Sequence, residues 1–276
     1  MKIIQISDPH LVTPGRRLWG LDPSERLRLC LDDVGTQHPD VDLVVVTGDL
    51  SDGGLAPAYA RLRGLLAGLA VPVRLLLGNH DDRGIFRAAF PEALTDADGF
   101  VQSVHDAGSV RLVFLDTLEA GETAGRLGPR RLAWLAARLE ETAAERILLF
   151  MHHPPMPTGQ PGLDSIRLQD AEPFWAVLAP HRARIAHIFC GHQHRPVGGS
   201  WRGVPFTVLR GTNHQCALEL RASGHVDGTH EPPHYAVILV TAESVVVHLH
   251  DFTYDGPRFS LGEADPATWE PRETIE

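Results

Sequence analysis

An α/β fold follows from three features of the 276-residue sequence. Apolar runs at 2–7, 43–47, 73–77, 146–151 and 185–190 have the length of strands and stop abruptly at Gly, Asp, Asn or His. Between them the apolar residues recur at helical spacing. From Trp201 onward that spacing disappears and only strand-like runs remain. Alternation implies a largely parallel sheet covered by helices. The strand-only remainder implies a second sheet packed against the first.

Each element has its own justification. Residues 2–7 read as the first strand. Asp22-Pro23-Ser24-Glu25 is a helix start, with Asp as N-cap, Pro at the first position and Glu at the third. Leu27, Cys30, Leu31 and Val34 then mark one apolar face. A second helix spans 55–69 with Leu62, Leu65, Leu66 and Leu69 inward, and Gly128-Pro129 opens a third with Leu132, Leu135 and Leu139 inward. Residues 100–105 and 110–115 form a hairpin about Asp106-Ala107-Gly108-Ser109. A Pro/Gly-rich loop covers 154–162, and a shorter helix lies near 171–179. Strands are expected at 204–209, 215–220, 235–241 and 244–251, the last two joined by a turn at Ala242-Glu243. The polar, Gly/Pro-rich stretch 222–233 reads as an exposed excursion. The acidic tail beyond Pro257 reads as a loosely packed or surface-wrapped segment.

Composition bounds the function. A hydrophobic fraction of 43% and a charged fraction of 22% are those of a soluble globular protein. No apolar run is long enough to span a bilayer, and no basic flank precedes the first strand, so neither a membrane helix nor a signal peptide is expected. Three scattered cysteines, Cys30, Cys190 and Cys216, read as reduced thiols in a cytoplasmic protein. The formal net charge of −10 argues against a general affinity for nucleic acid, duplex DNA included. Of the 16 histidines, His38, His105, His181, His225 and His230 lie outside any motif and read as surface or hydrogen-bonded residues.

The chemistry lies where the strands end. The first runs into Asp8-Pro9-His10, the second into Gly48-Asp49, the third into Gly78-Asn79-His80-Asp81, the fourth into His152-His153-Pro154 and the fifth into Gly191-His192-Gln193-His194. One such ending is ordinary turn chemistry. Five point to one composite site, because ligand sites of open α/β sheets gather outside the carboxyl ends of the strands. Asp8, His10, Asp49, Asn79, His152, His192 and His194 mix carboxylate and amide oxygen with imidazole. That set suits Fe, Mn, Zn or Co better than Ca or Mg. It is too large for one tetrahedral ion and suits two divalent transition-metal ions sharing a carboxylate.

In order along residues 1–200, these motifs resemble the full signature of the calcineurin-like metallophosphoesterases. Within that family, Met151-His152-His153-Pro154-Pro155-Met156-Pro157 with Gly162-Leu163-Asp164 is similar to the class III cyclic nucleotide phosphodiesterases and the glycerophosphodiesterases. Gly211-Thr212-Asn213-His214-Gln215 and the C-terminal strands are similar too. The resemblance implies two packed mixed sheets flanked by helices, an αββα sandwich. It implies a catalytic core over 1–210, with 211–276 completing the second sheet and supplying a dimerisation or cap loop. It places Asp8, His10, Asp49 and His194 on one metal, with Asp49 bridging to a second held by Asn79, His152 and His192. Asn79 and His80 are then the catalytic pair, with His80 lying over the site as a non-ligand. His80, His153 and His214 are the expected substrate contacts. Either His152 or His153 could bind metal, and the His-x-Pro pattern selects His152.

Two divalent ions offset phosphate charge and lower the pKa of water enough for in-line attack on phosphorus. His80 would meet the leaving oxygen. The expected activity is hydrolysis of a small diester such as a 3′,5′-cyclic nucleotide, cyclic AMP foremost, by a homodimer or higher homo-oligomer. The alternatives are a glycerophosphodiesterase, a broad phosphomono- or diesterase, and a scaffold without activity.

Overall fold

The computed structural model describes residues 1–221, 225–259, 267–268 and 274–275. The expected excursion at 222–233 and the acidic tail therefore lie partly outside the described residues. Strand β1 (Lys2–Ile6) is followed by α1 (Pro23–Gln37), β2 (Leu43–Thr47), α2 (Ala56–Leu66), β3 (Val73–Leu76) and α3 (Arg83–Ala89). The hairpin β4 (Ser103–Ala107) and β5 (Val110–Phe114) leads to α4 (Gly128–Glu140) and β6 (Arg146–Phe150). Then come α5 (Pro161–Asp164), α6 (Ala171–Leu178), β7 (Ile185–Cys190), β8 (Val197–Trp201) and β9 (Val204–Val208). The remaining elements are β10 (Gln215–Cys216), β11 (Gly228–Thr229), β12 (Tyr235–Val240), β13 (Val245–His250), β14 (Arg258–Phe259) and β15 (Thr274–Ile275).

The local signals act as the sequence implies. The Asp22 side chain accepts from the backbone N–H of Ser24 and Glu25, so α1 starts on its N-cap. In α4, Leu135 and Leu139 are fully buried.

Sheet membership differs from the expectation. The parallel strands do not share one sheet, and the C-terminal strands do not build the second. The strand orders are β13-β12-β1-β2-β3 and β4-β5-β6-β7-β9-β8. Strand β12 lies antiparallel to β1, from Lys2 opposite Leu239 to Gln5 opposite Ala236, so the chain's last long strands extend its first sheet. The second sheet is built by the middle of the chain, and β9 joins it in parallel with β7.

Three apolar layers result. Residues of α1, α2 and α3 pack on the outer face of the first sheet around Leu27, Tyr59 and Phe86. Residues of α4 and α6 pack on the outer face of the second around Leu135 and Phe174. Between the sheets lie Ile3, Val45 and Ile238 against Leu112, Leu148 and a stack of Phe114, Phe150 and Phe189, with ring centroids 5.4 and 4.8 Å apart. Strands buried on both faces read as continuous apolar runs, which is why they stood out in the sequence.

Other differences are local. The strand expected over 215–220 is a two-residue ladder with β11, because Leu218 and Leu220 have no sheet to join and are each 61% exposed. Helix α3 is too short for its period to show; Asp82 caps it by accepting from Ile85 N at 2.8 Å. Strand β8 hides in the Gly-rich sequence VGGSW. Cys30 and Cys190 are buried, Cys216 is half-buried, and all three are free thiols. Among the described residues no helix is long and apolar enough to cross a membrane.

Candidate metal centre

The carboxyl ends of β1, β2, β3, β6 and β7 meet on one rim, so the candidate site straddles both sheets. Polar bonds stitch the sheets together beneath it. Gln5 Nε2 donates to Cys190 O at 3.2 Å, and His192 N donates to Asp8 Oδ1 at 3.1 Å. Close approach of the loops needs Gly78: a Cβ there would lie 2.6 Å from both Asp49 N and His152 Nε2. Asp81 clamps the loops from behind. Its carboxylate accepts from Leu50 N (3.1 Å), Ser51 N (3.0 Å), Gly78 N (2.9 Å) and the Tyr59 hydroxyl (2.9 Å). Burial, followed by the charge of Asp49, pushes Asp81 up to about 6 against those donors.

Backbone strain marks the same residues. Seven non-glycine residues among those described adopt positive φ, and five are Asp8 (51°), His10 (46°), Asp49 (48°), His192 (72°) and His194 (48°). Each costs about 1–3 kcal/mol and persists only where the surroundings enforce it. Such clustering is the signature of a site whose side chains are aimed at the expense of stability.

Three imidazoles are tied from behind through Nδ1. His10 Nδ1 is 3.0 Å from Asp52 Oδ1, His152 Nδ1 is 2.7 Å from Thr47 O and His194 Nδ1 is 2.8 Å from His214 O. All three partners are acceptors, so each Nδ1 carries its proton and each Nε2 faces inward. His10 Nε2 then lies 3.3 Å from Asp49 Oδ2, His152 Nε2 3.4 Å from Asp49 Oδ2 and His194 Nε2 3.3 Å from Asp8 Oδ1. Lone pair facing carboxylate is unstable unless a cation sits between them.

A proton is one such cation. Burial drives His10 down, but the hydrogen bond and charge of Asp49 outweigh it and hold the ring at about 10. Burial and Asp49 in the same opposition put His152 at about 9. Burial raises Asp8, yet the charge and hydrogen bond of His194 bring it to about 2, and Asp49 is held well below the usual carboxylate range by His152 and His10. A divalent metal is the other. Asp8, His10, Asp49 and His194 each offer a ligand atom within 4.8 Å of the others, all buried, and so do His152, His153 and His192. The buried His152 Nε2 and His192 Nε2 have no hydrogen-bond partner within the protein. These residues fit a pair of transition-metal ions.

The remaining expected site residues are placed as follows. Asn79 Oδ1 is 3.0 Å from His192 Nδ1 at the second half of the cluster. His80 is at the mouth, 42% exposed, with Nδ1 3.0 Å from Asp52 Oδ1 and its ring edge-on to His10. His214 lies with its ring centroid 5.0 Å from His10 and 4.6 Å from His194. His153 differs from the substrate contact expected of it. It is fully buried behind His152 and His192, with Nδ1 2.7 Å from Thr117 Oγ1 and Nε2 3.3 Å from Thr123 O. Burial, then the charges of His192 and His152, push its pKa well down. Sequence reasoning missed Asp52, which backs both His10 and His80. Its only signal was a third carboxylate position after Asp49, in a stretch that reads as a turn.

Comparison with known proteins decides the family. The calcineurin-like phosphoesterase model matches residues 1–196. The chain belongs to the calcineurin-like phosphoesterases. A probable cyclic nucleotide phosphodiesterase of Rhodopseudomonas palustris is 46% identical over 96% of this chain and 97% of its own length. A probable glycerophosphodiester phosphodiesterase of Arcobacter nitrofigilis is 29% identical over 84% of this chain and 86% of its own. Among solved structures, a dimetal phosphatase from Danio rerio superposes with a TM-score of 0.68 at 16% identity, covering 91% of this chain and 96% of that one, and so shares the fold. Calcineurin-like phosphoesterases are hydrolases that use divalent metal, and the cluster described above is where this member can hold it.

Proposed function

We propose that this protein hydrolyses a small phosphodiester, foremost a 3′,5′-cyclic nucleotide such as cyclic AMP, at a two-metal centre. The observation that carries the reading is the inward set of Nε2 atoms converging on the Asp49 and Asp8 carboxylates, each fixed by an Nδ1–H bond behind it. Asp8, His10 and His194 would hold one ion and Asn79, His152 and His192 the other, with Asp49 placed to be shared by both. His152 is the ligand of its pair because His153 spends both nitrogens on Thr117 and Thr123. Iron, manganese, zinc and cobalt all suit this mixture of oxygen and imidazole.

Two divalent ions held there would supply charge to offset the phosphoryl oxygens and would lower the pKa of water toward neutral pH. The protein's own groups do the rest. Asp52 holds the His80 ring through Nδ1, leaving Nε2 at the mouth to carry a proton to the leaving oxygen. Asp81 and the strained loops keep Asp49 from moving as charge develops.

The substrate choice is supported by the relative of 46% identity, which matches nearly end to end. A glycerophosphodiester is the second reading, supported by the relative of 29% identity. A homodimer through residues 222–233 is supported by the exposed Leu218 and Leu220 beside that segment. Turnover of cyclic AMP, glycerophosphoethanolamine and bis-nitrophenyl phosphate, each with Mn, Zn, Fe and Co, tests the reading. Hydrolysis of the glycerol diester with none of cyclic AMP would transfer it to the second.

A further inference from the structure

Trp19 is held in a conformation that its own packing does not explain. Leu18 and Leu21 exchange both backbone hydrogen bonds, at 2.9 and 3.1 Å, so Trp19-Gly20 is a two-residue turn. Both central residues have positive φ, 53° and 85°, the geometry that normally selects Asn-Gly. Trp at the first central position costs about 1–3 kcal/mol. Its ring is nonetheless 70% exposed, so burial does not offset the strain. The turn is also anchored from the far end of the chain, where His230 Nε2 lies 2.8 Å from Trp19 O.

A second turn of the same kind shows what an explained case looks like. Arg202-Gly203, between β8 and β9, also has positive φ at both residues, 53° and 82°. The Arg202 guanidinium, however, lies over the Trp175 and Trp201 rings at 5.3 and 5.2 Å and pairs with Glu172. Among the described residues nothing comparable covers Trp19.

What the Trp19 turn does is place a ring beside the metal centre. Its centroid is 6.3 Å from that of His214, whose other neighbours are His10 and His194. Between Trp19 and the C-terminal strands is a cavity of about 410 Å³, walled by Trp19, His214, Cys216, Val226, Thr229 and His230. Its walls are mostly aromatic, apolar and uncharged polar, with one carboxylate, Asp227, among them, the lining of a small-molecule pocket. A group bound at the cluster would extend past His214 into this cavity.

We propose that Trp19 is the stacking platform for the aromatic base of a nucleotide diester, and that this cavity is the base subsite. The inference rests on the functional reading above and sharpens it. An exposed indole on a hydrogen-bonded turn offers a flat face that any base can cover, and a stacked base is worth about 1–3 kcal/mol. A glycerol ester has no group that gains from it. The subsite thus selects nucleoside esters over aliphatic ones at the same metal pair.

The test compares Trp19→Ala and Trp19→Phe with the unaltered protein. Converted through RT at 25 °C, one lost stack should lower the ratio of kcat/KM for cyclic AMP over glycerophosphoethanolamine by roughly 5- to 150-fold in Trp19→Ala. Trp19→Phe should lose much less. Independently of turnover, titration with AMP should quench tryptophan fluorescence, inorganic phosphate should not, and the quench should vanish in Trp19→Phe. An unchanged ratio would overturn the proposal. So would a fall in particle mass in Trp19→Ala by light scattering, which would place the indole between two copies of the chain. Absence of cyclic AMP hydrolysis by the unaltered protein would defeat the functional reading instead. The AMP titration would then decide the subsite alone: a quench lost in Trp19→Phe supports it, and no quench in the unaltered protein overturns it.

Discussion

The two halves of the cluster are built from different charges. Around Asp8, His10 and His194 stand the carboxylates of Asp8 and Asp49, with Asp52 directly behind His10. Around Asn79, His152 and His192 the shared Asp49 is the carboxylate nearest an inward imidazole nitrogen. Asp8 lies 4.0 Å from His152 Nδ1 and accepts from the backbone N–H of His192, and the other oxygen donor is an amide. The proton shows the difference. His10 is held at about 10 and His152, beside the shared Asp49, at about 9, whereas burial and the neighbouring His152 charge push His192 in the second half down to about 3. A cavity that favours one cation favours another, so the first half should hold its ion more tightly and the second should exchange it more readily. Specificity of binding thus comes from where the chain spends its carboxylates, since both halves supply imidazole.

The largest effect should come from removing what the halves share. Asp49→Ala takes the carboxylate nearest the inward imidazole of the second half and one of two from the first. Activity should fall to background, and elemental analysis should find fewer than one metal per chain. Two retained metals with near-normal turnover would show that Asp49 does not bridge.

Next is His80, which belongs to neither half. His80→Ala should keep both metals yet lose roughly 10²–10⁴-fold in turnover, the range for a positioned acid. The loss should shrink for a nitrophenyl ester, whose leaving group needs little protonation. Equal losses for good and poor leaving groups would leave His80 a positioning residue only.

A smaller effect is expected behind the first half. Asp52→Asn keeps an acceptor for His10 Nδ1–H but removes the charge. Outer partners of this kind typically change metal affinity by 10–100-fold. Competition with a chelator should show the tighter metal weakened by about that factor, narrowing the gap between halves. Unchanged affinity would mean that Asp52 contributes geometry alone.

How much of this was legible in the sequence follows the range of each signal. The ends of β1, β2, β3, β6 and β7 were readable because an apolar run closed by Gly, Asp or His is a local pattern. Asp22 as N-cap was readable for the same reason. Which sheet a strand joins is decided by partners far along the chain, and no periodicity records that β12 pairs with β1 across more than 230 residues. Asp52 was missed because a carboxylate after Ser51 reads as turn chemistry. The Trp19–His230 contact was missed because its two ends are 211 residues apart and a lone histidine carries no pattern. The buried place of His153 was missed because its partners, Thr117 and Thr123, lie 36 and 30 residues upstream.

The smallest effect concerns the physics of the comparison itself, away from any metal. Buried imidazoles beside carboxylates are pushed up, and those without one are pushed down. His187 on β7 is such an isolated case, 8% exposed and stacked on Phe189, with Nε2 2.9 Å from Thr207 Oγ1. Burial alone lowers it from 6.5 to about 4. The unfolded chain therefore binds the proton first as pH falls. Stability from this group is complete above about 6.5, declines below it and is lost by about 4, a total of about 3 kcal/mol. His187→Gln keeps a partner for Thr207 and cannot titrate. Urea unfolding at pH 7 and pH 4.5 should show the pH-dependent loss reduced by roughly 2 kcal/mol in the variant. Every other group titrates in both proteins and cancels. Equal losses would mean that His187 is already solvated when folded. Burial without a carboxylate would then be too weak to explain the low proton affinity of His192.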